Sequence, residues 1–191
     1  MNYRMKFRGL LIILSVLLIC PAIPAQRTSQ RVNGTVIGIS GRSAGRSFPF
    51  SLIINRYASP GEVTELNQAR RQGEDELFKV LSRMGMGRIS IGNSIGVPAN
   101  VVMAVPWEGG TKITVLYQRN LNLYELRYAA RSTDYRFGYA EIFLDQNGKG
   151  QGTLIPAARV NLDGNQWEVE DFGVFPARLM GLRSNGRILP S

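Results

Sequence analysis

The chain has 191 residues, with 23 Lys and Arg against 14 Asp and Glu, a net charge of +9 and a 44% hydrophobic share. That length and apolar content suit one domain with a proper core. It has no His and a single Cys, which removes the commonest general base and metal ligand and sets aside zinc, copper and haem sites and Ser-His or Cys-His nucleophile pairs.

Residues 1–25 read as a secretory signal peptide. Arg4, Lys6 and Arg8 precede the uncharged run Leu10 to Ile19, and small residues lead to a cut after Ala25. The run falls short of the ~20 residues that span a bilayer, so no transmembrane anchor is expected. A lipid anchor at Cys20 is the second choice, because Ile19 before it is not small. Cleavage takes the only Cys with it, leaving a mature chain without disulfide or thiol chemistry. The expected location is secreted or periplasmic. Residues 26–31 form a polar, flexible lead-in, and 32–191 one β-rich domain.

"VNGTVIGIS" (Val32 to Ser40) and "SFPFSLIINRY" (Ser47 to Tyr57) are rich in β-branched and aromatic residues and predict two strands around a basic loop. "GRSAGRS" in that loop resembles a phosphate cradle but leads into a strand, so that reading is rejected. Ser59, Pro60 and Glu62 then predict a capping box. Val63, Leu66, Leu77, Val80, Leu81 and Met84 recur at helical spacing, predicting a helical segment over about 60–84. Gly73 divides it into two short helices or one kinked one. The acidic run Glu74 to Glu76 suits a helix start, where the dipole favours negative charge.

From Gly87 the period becomes two. "GRISIG" is a short strand, and "ANVVMAV" and "TKITVLYQ" form a hairpin whose turn holds Pro106 and Gly109-Gly110. Apolar residues on both faces of the second arm predict a central strand, or one covered on both sides. "LNLYELRYAARS" is read as a strand. "DYRFGYAEIFL", "GTLIPAARVNL" and "WEVEDF" then predict a three-strand meander. Its first turn, Asp145 to Gly148, carries an Asn-Gly pair suited to a type I′ turn. A calcium loop there would put Pro156 where the bidentate Glu belongs, and the glycines lead into no helix. It reads as a turn.

The fold class predicted is α+β: a mostly antiparallel β barrel or sandwich of about 8–10 strands, with one helical segment inserted after strand 2 to cover an opening or a face. No cofactor and no metal site is expected. Without His or Cys, catalysis would fall to carboxylates such as Glu141, Glu168 and Glu170, which lie on adjacent predicted strands. Binding is the better reading, with Trp107 beside a turn and Arg119, Asp134, Tyr135 and Arg136 at strand ends. A plainer account makes Arg119 and Asp134 a structural ion pair. The arginines are scattered along the chain, which reads first as a soluble basic surface and makes nucleic acid an unlikely partner.

"SPGEVTELNQARRQGEDELFKVLSRMGMGRI", "STDYRFGYAEIFLDQNGKGQGTL" and "VEDFGVFPARLMGL" resemble a family of small secreted bacterial proteins of unknown function. Asp134-Tyr135, Gly148 to Gly152, Glu170 and Pro176 to Leu179 fit its pattern; Gln118-Arg119-Asn120 replaces its Asp-Arg-Pro. The resemblance implies export and supplies no catalytic residues. Three functions follow: an exported, non-enzymatic binding or envelope-associated domain, whose partner is an extracellular or envelope ligand such as an anionic polymer or a protein; a carboxylate-dependent hydrolase of an extracellular polymer; and a barrel carrying a small apolar ligand.

Overall fold

The computed structural model describes residues 29–38, 44–119, 134–163, 166–171 and 176–186, with backbone alone at 162–163, 166–167 and 171. The expected leader, and the strand expected over "LNLYELRYAARS", lie outside the described residues.

The elements are β1 (Gln30–Ile37), β2 (Ser47–Ile54), α1 (Pro60–Gln72), α2 (Glu74–Ser82), β3 (Gly87–Ile91), β4 (Val97–Ala99), β5 (Val101–Trp107), β6 (Gly110–Gln118), β7 (Phe137–Leu144), β8 (Lys149–Asp163), β9 (Gln166–Asp171) and β10 (Ala177–Ser184). The strands form one sheet in the order β4-β3-β2-β1-β10-β8-β7-β6-β5, with β9 on β8. All neighbours are antiparallel. The sheet curls into a nearly closed barrel, which decides between the barrel and the sandwich. Its two ends meet at β4 and β5, which only Asn100 separates. Gln30 and Arg31, read from the sequence as lead-in, already pair with Ile54 and Ile53.

Strand alternation builds the core. Val32, Val36, Phe50, Leu52, Ile54, Ile89, Ile113, Val115, Ile142, Leu154, Leu179 and Leu182 are buried in one cluster. Leu116 points away from Val115 yet is also fully buried. Phe137, across the ladder from Gln118, is buried too, and its ring meets that of Phe78 on α2 at 6.2 Å. The helices therefore cover the outside of the sheet where β6 ends and β7 begins. Among the described residues no helix is long and apolar enough to cross a membrane.

The helical segment is two helices. The Ser59 hydroxyl accepts from the Glu62 N–H, and the Glu62 carboxylate accepts from the Ser59 N–H at 2.8 Å. Its hydrogen bond from Arg56 and the one from Ser59 hold the Glu62 carboxyl down to about 2. Gly73, at φ 135°, ends α1 and starts α2. Leu66 and Ala69 of α1 and Leu77 and Leu81 of α2 form the buried side.

The turn expected to be type I′ is of another type, and a type I′ turn stands elsewhere. Asp145–Gly148 closes with Gly148 N–H on Asp145 O, and only Gly148 has a positive φ, at 71°. That is a type I turn followed by a left-handed glycine, in place of the expected type I′. The Asp145 carboxylate takes the amides of Asn147 and Lys149 at 2.8 and 2.9 Å, holding Asn147 out of the left-handed region. The type I′ turn is Glu108-Gly109, at φ 36° and 78°. Pro106 and Gly110 belong to the flanking strands, opposite Thr111 and Trp107 respectively.

Candidate functional site

The residues singled out in the sequence fall in two places. Arg119, Tyr135 and Arg136 lie where the two helices meet β6, β7 and β8. Arg119 donates to Tyr135 O at 3.2 Å and not to Asp134, which is exposed. Tyr135 donates its hydroxyl to Glu170 at 2.9 Å, and Arg159 lies 5.3 Å from the Tyr135 ring. Arg136 pairs with Asp75 and lies 4.0 Å from the Phe78 ring. Arg70 of α1 reaches Val160 O and the Asn161 side chain. Glu74 completes the cluster, its Oε2 3.8 Å from Arg159 Nε. Most of these charges are matched within the cluster, which fastens the helices to the β8–β9 arm.

Glu74 is the imperfect member. Its Oε1 and the Arg159 Nε are buried without a hydrogen bond. Burial pushes its carboxyl above the ordinary range, with Asp75 adding to the rise, although Arg159, Arg136 and Arg70 pull the other way. A carboxyl with a raised folded-state pKa binds its proton more tightly in the native state. The native state therefore loses stability as pH rises from the unfolded carboxylate value through the folded one. Glu74→Gln keeps the shape and removes the charge. We expect it to be more stable than the parent at pH 7, by on the order of 1 kcal/mol. The gain should shrink as pH falls below the carboxylate range. Urea midpoints at pH 4 and 7 check this; a variant weaker at pH 7 would mean the three arginines outweigh the desolvation.

The three carboxylates do not converge as a pair. Glu141 lies opposite Thr153, and Glu170 opposite Arg159, six residues along β8. At about 3.3 Å per residue that is on the order of 20 Å, well beyond a glycosidase pair. Glu168 shares the Glu170 face of β9, and both are exposed. Glu141 is ion-paired to Lys112 at 2.5 Å and accepts from Tyr139. Among the described residues no group of three carboxylates could hold a metal ion.

The second place is an open groove of about 610 Å³ on the outer face. Trp107, Glu108, Phe143, Asp145, Lys149, Gln151 and Met180 are among the residues that line it. The type I′ turn leaves Trp107 at the end of β5, 45% exposed, its ring 5.5 Å from that of Phe143 and tilted by 57°. Lys112, directly opposite Phe143, sits 5.7 Å from the Trp ring and 5.9 Å from the Phe ring. Met180, 40% exposed, closes the far side beside the β10 bulge. Sequence reading found Trp107 and missed Phe143, Lys112, Gln151 and Met180. The alternation of β7 does put Phe143 and Glu141 on one face, which was the available signal. Trp167 of β9 lies opposite Leu162 in the ladder, and its backbone alone is described. No family model matches the chain, and no curated protein or solved structure matches it either.

Proposed function

We propose that the protein is an exported, non-enzymatic binding domain whose ligand lies along the groove beside Trp107. One observation carries this reading: an exposed Trp packed at a tilt against Phe143 over an open groove rimmed by Lys149, Gln151, Asp145 and Glu108. Rigid aromatic faces give contact area at little entropic cost, and the polar rim orients what lies on them. An open trough suits an extended molecule that runs on past its ends.

The other two functions draw less support. Two of the three carboxylates at or beside the groove are already engaged, Asp145 by the amides of its own turn and Glu141 by Lys112 and Tyr139; the third, Glu108, is exposed on the β5–β6 turn. A carrier needs interior room, whereas Phe50, Leu52, Ile54, Ile113, Ile142 and Leu154 occupy the inside as fully buried side chains.

The test is intrinsic fluorescence of the full chain titrated with soluble polysaccharides and peptides. A ligand that shifts the Trp emission should bind Trp107→Ala at least about tenfold more weakly, some 1.4 kcal/mol, at an unchanged melting temperature. Equal binding by Trp107→Ala would remove the groove from the ligand site.

A further inference from the structure

We propose that the ligand is an anionic polysaccharide, read by an acid-free face of the barrel that continues from the groove across β8, β10, β1, β2 and β3. The inference rests on the groove reading and adds the chemical class. Strands β1 to β4 and β10 contain no Asp or Glu, and β8 has none before Asp163. The described ion pairs all lie elsewhere, on the helices and their approach or on β6, β7 and the far half of β8.

Strand pairing gathers what the chain scatters. Lys149, Arg183, Asn33, Ser51 and Ser90 are successive partners across β8, β10, β1, β2 and β3. With strands ~4.8 Å apart, that row spans roughly 19 Å. One flanking row holds Arg31, Ile53 and Arg88; the one beyond the bulge holds Thr153, Arg178, Ile37 and Ser47. These positions face out, since Val32, Leu52, Ile89, Leu179 and Leu182 between them are buried. Lys149, Arg183, Arg31, Arg88 and Arg178 are all exposed.

Lys149 and Arg183 stand directly opposite each other, with Arg31 diagonal to Arg183. Like charges in that position oppose the fold. Among the described residues none of the three has a carboxylate in ion-pair reach. A local conflict that the fold does not relieve is what a surface kept for an anion looks like. Arg forks onto carboxylates and sulfates, while Asn33, Ser51, Ser90 and Gln151 offer the neutral donors and acceptors that sugar hydroxyls need. Trp107 and Phe143 supply a ring face at one end, and Lys149 belongs to both groove and row. Single-stranded nucleic acid would instead call for aromatics interleaved with the cations, and these rows hold none.

The experiment measures binding of the full chain to polygalacturonate, neutral dextran, single-stranded DNA and phosphatidylglycerol vesicles. Parent, Trp107→Ala and the double variant Arg31→Ser, Arg183→Ser are compared at matched melting temperature. The proposal expects polygalacturonate to bind, more weakly as salt rises, and dextran to bind poorly. It expects both variants to weaken polygalacturonate binding by about tenfold or more. Dextran bound as tightly as polygalacturonate, with only Trp107→Ala weakening it, overturns the anionic class and leaves the groove standing. Loss in the Arg variant with none in Trp107→Ala overturns the groove and keeps the basic face. Preference for DNA or vesicles overturns the polysaccharide, and no binding to any probe overturns both readings.

Discussion

Asn100→Leu is expected to cost about 3–5 kcal/mol, because it removes three buried hydrogen bonds and leaves Met84 O and the Gln118 N–H without partners, while Leu81 O keeps only the Met84 N–H. Asn100 is the residue between β4 and β5, 5% exposed, where the two ends of the sheet meet. Its Nδ2 donates to Leu81 O at 2.9 Å and to Met84 O at 3.0 Å, two carbonyls at the end of α2. Its Oδ1 accepts the Gln118 N–H at 2.8 Å, at the end of β6. One side chain thus joins the helix end, the closing corner and β6. Only an amide can do so, since two acceptors and one donor face it. Asn100→Asp would set a second carboxylate oxygen against two carbonyls and should be at least as harmful. Against the roughly 5–15 kcal/mol that a domain possesses, either change is large. Urea unfolding would show it as a fall in midpoint at constant slope, and hydrogen exchange should show Gln118 losing protection before Thr114 does. A midpoint within about 0.5 kcal/mol of the parent would sink the idea that this corner holds the barrel closed.

What the chain discloses by itself follows the range of the interactions. The capping box at Ser59 and Glu62 is settled within four residues, so it was legible. So were the hairpins β5–β6 and β7–β8, whose partners are joined by short turns. β10 was not. In "ARLMGLRS" the buried residues Leu179 and Leu182 are three apart, which breaks the strand period. The bulge at Met180-Gly181, with Gly181 at φ 59°, restores both to the inner face. The split of "ANVVMAV" into β4 and β5 was hidden too, because Asn100 finds its partners in α2 and β6. The basic face shows the same limit. Acid-free spans at 27–61, 77–107 and 172–191 are visible in the sequence. That the first and last of them lie side by side is a property of the β1–β10 pairing, which no local pattern records.

A third pairing yields the second large effect. Gly138 stands opposite Tyr117 in the β6–β7 ladder, and a Cβ placed there would lie 2.0 Å from the ring Cζ. Tyr117 is 5% exposed, and burial pushes its hydroxyl up to about 12. The ring therefore lies across the glycine and fills the space a side chain would take, a pairing in which an aromatic neighbour compensates for the glycine in a strand. Gly138→Ala must displace the ring in a packed interior, at about 2–4 kcal/mol, the upper part of the range for overpacking. Tyr117→Ala alone should cost about 3–5 kcal/mol by leaving a cavity. The two losses should not add: in the double variant the new methyl enters the space the ring has left, so the combined loss falls short of the sum by about 1–2 kcal/mol. A double-mutant cycle on urea midpoints measures that difference directly. Strict additivity would mean that ring and glycine act independently, and the compensation argued from their contact would then be wrong.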